Sequence, residues 1–370
     1  MRERSIIYIL IIALVGTIIG FSTVMFFIAQ PETPMRISGA GATFPAPLYQ
    51  KWSLEFDDLT GIQVDYEGIG SGGGITQHTE KTVDFAASDP PMKTSEWLAA
   101  PNTLHLPMTI GGVTVAYNLP GIALPLNLTG SVIAQIFARW ITQWNNATLQ
   151  ALNPAITLPN QPITVVHRSD SSGTTAVFTS FLSDENIMWN TTYGASKTIA
   201  WHPDTLGQKG NSGIAQYLQT NQYSLGYIEL SYALESGIDY ALIQNADGIY
   251  SLASTATIAE AAAYAALTLP AGNENWEPVG SYFALGPGCG NGYPISSFSY
   301  MLVYKELNVI PGMTLAKAKA LTNWLWWCTH QAQSYAEGLH YVEIPAPVIA
   351  INEVSLRSIT FNGEIVNTWS

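Results

Sequence analysis

Three segments of the chain share one plan, and that plan restricts the fold more than any other feature: small residues, a hydroxyl, then a helix-like run. The first is Ser-Gly-Ala-Gly-Ala-Thr-Phe-Pro-Ala-Pro over residues 38–47, leading into 48–52. The second is Gly-Ile-Gly-Ser-Gly-Gly-Gly over 68–74, opening the run 75–83. The third is His-Arg-Ser-Asp-Ser-Ser-Gly-Thr-Thr over 167–175, opening 176–182. Residues 62–66 and 163–166, rich in β-branched side chains, read as strands that feed the second and third turns. The prolines of the first turn are pre-organised for a helix start, where a missing N–H costs nothing. Further along, 254–267 reads as an Ala-rich helix ending before Pro270. Residues 314–336 read as one amphipathic helix with Leu315, Ala318, Leu321, Leu325, Cys328 and Ala332 on a face. Its Trp324, Trp326 and Trp327 read as packing rather than a sugar-stacking platform. Strands alternating with helices give an α/β architecture, in which ligands sit at the carboxyl ends of strands.

What the turns hold follows from their chemistry. A helix N-terminus presents unpaired N–H groups and a partial positive charge. Glycine lets the backbone approach a ligand closely, and Ser and Thr add hydroxyl donors. Three such turns predict an oxyanion held mainly by neutral dipoles. Charge composition agrees: only 11% of residues are charged and the net charge is −13, which excludes a nucleic-acid-binding face built from Lys and Arg. Such a polar-poor, aromatic-rich chain cannot remain disordered. Gly68, Gly70 and Gly73 match a dinucleotide fingerprint, but the acid downstream, Asp89, lies before Pro90-Pro91, a turn rather than the end of a ribose-binding strand. No Lys follows the glycines, so a nucleotide P-loop is not supported. The two cysteines and six scattered histidines give no four-Cys zinc site and no metal-ligand spacing, so neither a metal nor a cofactor is expected.

Arg168 offers a planar fork to an oxyanion. Asp89 and Asp170 beside an anion site make sense once protons are counted. A carboxylate only accepts hydrogen bonds, so it suits a protonated oxyanion and repels a fully ionised one. Hydrogen phosphate carries such a proton and sulfate does not, so the residues alone point to a hydrogen-phosphate site.

The N-terminus suggests where this happens. Arg2, Glu3 and Arg4 precede residues 5–29, which contain no Asp, Glu, Lys or Arg. About 20 apolar residues span a bilayer as a helix, so this stretch is long enough to be an uncleaved membrane anchor. Its end, Phe27-Ile-Ala29-Gln30, makes a poor signal cleavage site, and the flanking arginines place the body outside the cell. Residues 30–34 read as a short stiff linker. Asn127, Asn146 and Asn190 begin glycosylation acceptor patterns, and Cys289 and Cys328 could either pair in an oxidising compartment or remain two buried thiols.

The turns, with Val-Asp-Phe-Ala-Ala-Ser-Asp (83–89), Ile-Gly-Gly-Val-Thr-Val-Ala-Tyr-Asn (110–118), Lys-Gly-Asn-Ser-Gly-Ile-Ala (209–215) and Leu-Gly-Tyr-Ile-Glu (225–229), closely resemble the phosphate-binding protein of phosphate ABC transporters. The resemblance runs in order from about Ser38 to Pro347. It implies a type II periplasmic-binding-protein fold, two α/β lobes joined by a hinge and closing over one dehydrated phosphate, with ABC permease subunits as partners. By motif, the implied contacts are Thr43, Phe44 (through its backbone N–H), Ser71, Ser88, Asp89, Arg168, Asp170, Ser172, Gly173 and Thr174. Asp89 would accept the phosphate proton, and Asp170 would orient Arg168. The implied domains are residues 1–30 as anchor or signal, 31–37 as linker, 38–115 and 291–370 as the first lobe with the C-terminal tail, and 116–290 as the second. The hinge is expected near 115–118 and 289–297.

Two departures stand out within the third turn: His167 precedes Arg168, and Ser171 stands where the motif often has Gly. The apolar N-terminal segment also differs from the cleaved signal or lipid anchor of many bacterial members and looks more like an archaeal or otherwise tethered form. Two other readings compete: a phosphatase-like hydrolase on the same fold, and a surface interaction protein with a vestigial site. His167, Asp170 and Ser172 are too close in sequence to make a persuasive catalytic triad, so no catalytic residue is assigned.

Overall fold

The computed structural model describes residues 35–265, 269–271 and 274–366. The apolar segment 5–29 and the linker 30–34 lie outside the described residues. Among the described residues, no helix is long and apolar enough to cross a membrane.

The chain begins as repeated strand–helix units. Strand β1 (Arg36–Gly41) leads through Thr43-Phe44-Pro45 into helix α1 (Ala46–Thr60). Pro45 at the cap and Pro47 in the first turn need no N–H partner there. Leu48, Trp52 and Phe56, spaced four apart, face the core with Tyr49, and α1 stops at Gly61, whose φ of 70° is left-handed. Strand β2 (Gln63–Gly68) buries Val64 and Tyr66 in alternation and pairs parallel with β1. Helix α2 (Ser71–Glu80) and strand β3 (Phe85–Ser88), parallel to β1, complete this part.

Strand β4 (Thr103–Asn118) is buried from Thr103 to Tyr117. After it come β5 (Thr164–Arg168), α3 (Gly173–Glu185), β6 (Leu206–Gln208), α4 (Gly210–Thr220) and β7 (Ser224–Glu229). The chain then returns through β8 (Ser296–Tyr304) and α5 (Leu315–Thr329). These strands lie in one curled nine-stranded sheet, in the order β2-β1-β3-β8-β4-β7-β5-β6, with residues Asp239–Tyr240 also paired to β4. β4 belongs to both halves of this two-lobed α/β fold. Residues 103–112 pair antiparallel with β8, and 113–118 pair antiparallel with β7. The change of partner falls between Gly112 and Val113. Buried on both faces, β4 reads as a nearly continuous apolar run, so no alternating pattern marks it in the sequence.

Several local expectations need correction. Ser38 to Gly41 belong to strand β1 rather than a turn. The second turn is shorter than its glycines suggest, because Gly72, Gly73 and Gly74 lie inside α2. Glycine is required there by close approach: a Cβ on Gly74 would fall 2.6 Å from the Gly41 Cα, so α2 packs backbone to backbone on β1. Helix α3 begins three residues before the expected run, at Gly173. The helix expected over 314–336 ends at Thr329, and residues Gln331–Tyr335 form a 3-10 turn. The Gln333 side chain bonds the Cys328 carbonyl at 2.7 Å, replacing the N–H that a continuing helix would have supplied. The face itself holds for Ala318, Leu321, Leu325 and Cys328, which are fully buried, whereas Leu315 is exposed. Trp324 stacks on Trp327, and both meet Phe56, so this aromatic cluster is packing. The Ala-rich helix spans Thr255–Ala265 among the described residues. Cys289 and Cys328 are separate, free, buried thiols.

Candidate functional site

The six parallel strands of the two halves all end at one place. Thr43 and Phe44 follow β1, Ser71 follows β2, Ser88 and Asp89 end β3, Arg168 ends β5, Asn211 follows β6, and Glu229 ends β7. Convergence at carboxyl ends is where α/β sheets bind ligands.

Arg168 is the buried cation of this place, 3% exposed. Its Nε donates to Asp170 Oδ1 at 2.8 Å, one terminal nitrogen donates to Asp170 Oδ2, and the other donates to Thr174 Oγ1 at 3.3 Å. Asp170 also accepts the Gly210 N–H at 3.1 Å. Burial pushes the Asp170 carboxyl up, but the Arg168 hydrogen bonds and charge outweigh it and hold the carboxyl below the usual range. The fork–fork pair fixes the guanidinium plane.

Asp89 is different. It is 1% exposed, accepts from Ser299 Oγ at 3.0 Å and from Ser71 Oγ at 3.4 Å, and its N–H donates to Ser71 Oγ at 3.2 Å. Burial raises its pKa to about 7, and the Ser299 bond, the Arg168 charge and the Ser71 bond only partly offset this. Ser299 stands where the pairing of β8 with β4 shifts register between Ser299 and Tyr300, the kind of irregularity that re-aims a side chain.

Helix α3 points its start at this carboxyl. A Cβ on Gly173 would lie 2.2 Å from Asp89 Oδ2 and 2.3 Å from Ser71 Oγ, so only glycine fits. Ser172 caps α3, accepting from the Thr175 N–H at 3.1 Å. Asn211 ties the groups together: its Nδ2 donates to Thr43 Oγ1 at 3.0 Å and to Thr174 Oγ1 at 3.2 Å. Its Oδ1 accepts the Glu229 N–H at 3.1 Å. The Tyr232 hydroxyl donates to the Thr43 carbonyl at 2.7 Å, and the Tyr341 hydroxyl donates to the Phe44 carbonyl at 2.7 Å.

Of the residues singled out by sequence, Thr43, Ser71, Asp89, Arg168, Asp170, Ser172, Gly173 and Thr174 are thus brought together, with Phe44 at the edge of the cluster. The Ser88 hydroxyl donates to the Pro90 carbonyl at 2.6 Å and serves the turn that carries Asp89. His167 turns away from Ser172: its Nδ1 lies 2.9 Å from the Arg168 carbonyl and its ring stacks on Trp201. Sequence reasoning missed Asn211, Tyr232, Ser299 and Tyr341. Asn211 lies within a motif that carried the resemblance, but Ser299 and Tyr341 reach the site from distant segments without a local signal. Among the described residues, no group of three His, Cys, Asp or Glu could hold a metal ion.

A PBP superfamily domain model matches residues 29–330. The chain is 40% identical over 316 residues to a phosphate-binding protein PstS of Pasteurella multocida, covering 85% of this chain and 87% of that one. It is 39% identical over 317 residues to the Haemophilus influenzae protein of the same name, covering 85% and 90%. With the phosphate-binding protein PstS of Methanocaldococcus jannaschii, identity is 34% over 344 residues, covering 88% and 87%. Among solved structures, a high affinity periplasmic phosphate-binding protein, PfluDING, bound with phosphate, superposes with a TM-score of 0.70 at 19% identity, covering 89% of this chain and 97% of that one. A phosphate-binding protein from Stenotrophomonas maltophilia gives a TM-score of 0.66 at 16% identity, covering 89% and 97%. At these identities the two structures speak for the fold.

Proposed function

The chain belongs to the PstS family of phosphate-binding proteins, and from that premise we propose that it captures inorganic phosphate, as hydrogen phosphate, between its two lobes and delivers it to the permease of an ABC transporter outside the cytoplasm. The observation that carries this reading is the pairing of a buried, fork-held Arg168 with a buried Asp89 that no cation among the described residues pairs directly, both close to the start of α3. Arg168, the Ser71 and Thr43 hydroxyls, and the N–H groups of Phe44, Gly173 and Thr174 donate to the anion. Asp89 accepts its one proton. The site binds and releases without chemistry. Ser172 accepts the cap bond from the Thr175 N–H, and His167 faces away and offers it no base, so the geometry does not favour hydrolysis.

Calorimetric titration tests the reading. The protein is expected to bind one phosphate, and Arg168→Lys, which keeps the charge but not the fork, is expected to weaken binding by about a hundredfold or more. Undiminished affinity in that variant would remove Arg168 from the site.

We also propose that residues 5–29 tether the body to the cell membrane. The motivation is their length and their freedom from charge. Cell fractionation should find the full chain with membranes and a chain lacking residues 1–30 in the soluble fraction; a full chain that is soluble would refute the tether. The lobe boundaries implied by the family, and a hinge near residues 115–118 and 289–297, belong to the same proposal.

A further inference from the structure

The donors and acceptor of the anion site do not account for a second buried carboxyl, Glu229, at the end of β7. Glu229 is fully buried. Its Oε2 accepts the Ser231 N–H at 2.8 Å and contacts Ser231 Oγ, and its Oε1 has no hydrogen-bond partner among the described residues. Gly111 and the Phe44 ring lie beside that oxygen: a Cβ on Gly111 would fall 3.1 Å from Oε1 and 2.7 Å from the ring.

Around it runs a chain of oxygen contacts. Glu229 Oε2 touches Ser231 Oγ, Ser231 Oγ lies 2.9 Å from Tyr341 Oη, and Tyr341 Oη lies 2.7 Å from the Phe44 carbonyl. Each of these three contacts needs one proton between its oxygens. The hydroxyls of Ser231 and Tyr341 supply only two, and the Ser231 N–H serves Oε2 alone. If Glu229 were ionised, Ser231 would donate to it, Tyr341 would donate to Phe44, and the Ser231–Tyr341 contact would set lone pair against lone pair. A protonated Glu229 supplies the missing proton and every contact is satisfied in one direction, from Glu229 through Ser231 and Tyr341 to Phe44.

We propose that Glu229 is a positioning residue held as a neutral carboxylic acid, whose proton completes a hydrogen-bond chain that fixes the Thr43–Phe44 turn for anion binding. This rests on the phosphate-binding reading above. The neighbouring Tyr232 serves the same turn: it holds the Thr43 carbonyl, and in a trans peptide the Phe44 N–H of that unit then points the opposite way. The groups facing Glu229 do not favour its ionisation. Asp89, from the end of β3, has the same sign, while Tyr341 and Tyr232 are neutral acids, and Arg168 is engaged with Asp170. Burial accordingly raises the Glu229 pKa to about 8, with the Asp89 charge adding to it and the Ser231 and Tyr341 contacts opposing. The proton is present at neutral pH and lost above about pH 8.

The test has a spectroscopic arm and a binding arm. Infrared difference spectra of the full protein at about pH 7 should show the carbonyl band of a protonated carboxylic acid that is absent in Glu229→Gln, retained in Asp89→Asn, and lost on alkaline titration. Phosphate affinity of the wild type should fall about tenfold between about pH 7 and about pH 9.5 relative to Glu229→Gln, a comparison that cancels the titration of phosphate itself. Tyr341→Phe, which breaks the chain but keeps the ring, should weaken phosphate binding about tenfold while leaving the band in place. Absence of the band, superimposable pH profiles, or wild-type affinity in Tyr341→Phe would each overturn the proposal. Failure of the wild type to bind phosphate at all would overturn the functional reading instead, and the band would still decide the proton on Glu229.

Discussion

At the scale of single residues, the proposed selectivity rests on Asp89. Arg168 is neutralised by Asp170 in a bidentate pair, so the site offers an anion little net charge and relies on directed donors. The acceptor therefore decides which anion enters. With a pKa near 7, Asp89 is an acceptor above that pH and a donor below it. In the ionised form it repels sulfate, which has no proton to give; once protonated it can donate to sulfate. Acidification from about pH 8 to about pH 5 is therefore expected to shrink the preference for phosphate over sulfate by about tenfold or more, measured as sulfate displacement of bound phosphate. A preference that stays constant across that range would show that Asp89 does not change its proton near neutrality. Asp89, Arg168 and Asp170 were legible as candidates in the sequence, because they sit in short motifs. Ser299 was not, since its role comes from a register shift between strands joined only in space.

The start of α3 is the element on which the proposed binding mode depends most. Gly173 packs directly against Asp89 and Ser71, and Ser172 closes the helix end by accepting the Thr175 N–H, which leaves the Gly173 and Thr174 N–H groups for the proposed anion. Gly173→Ala keeps the cap and the helix but drives a methyl group against Asp89 and Ser71. Binding is expected to weaken by about a hundredfold, since displacements near 1 Å are costly in preorganised sites. Circular dichroism should show the helix content unchanged; wild-type affinity would mean that α3 can retreat and is not a fixed wall. Element starts were read less well from sequence than element existence. Gly72 to Gly74 looked like a turn because glycine disfavours helices, yet here close packing of α2 on β1 outweighs that propensity. The break at His330 was hidden as well, because the apolar spacing continues through Ala332 into a 3-10 turn.

The architecture of the whole molecule reconciles an acidic chain with an anionic ligand. A net charge of −13 disfavours phosphate at long range, but six strand ends and a buried guanidinium bring neutral donors to one point where solvent is excluded. The α/β class was legible from strand–turn–helix units. The shared strand β4 was not, since its run of buried residues lacks the alternation that marks an amphipathic strand, and its change of partner at Gly112 depends on β8, nearly two hundred residues later. On the proposed reading, one proton on the ligand, met by Asp89, decides what the protein carries. Titrating the protein with phosphate and then with sulfate at neutral pH tests it most directly. Saturation of a single site by phosphate, with sulfate in about hundredfold excess failing to displace it, is the expected result. Sulfate binding as tightly as phosphate would contradict it.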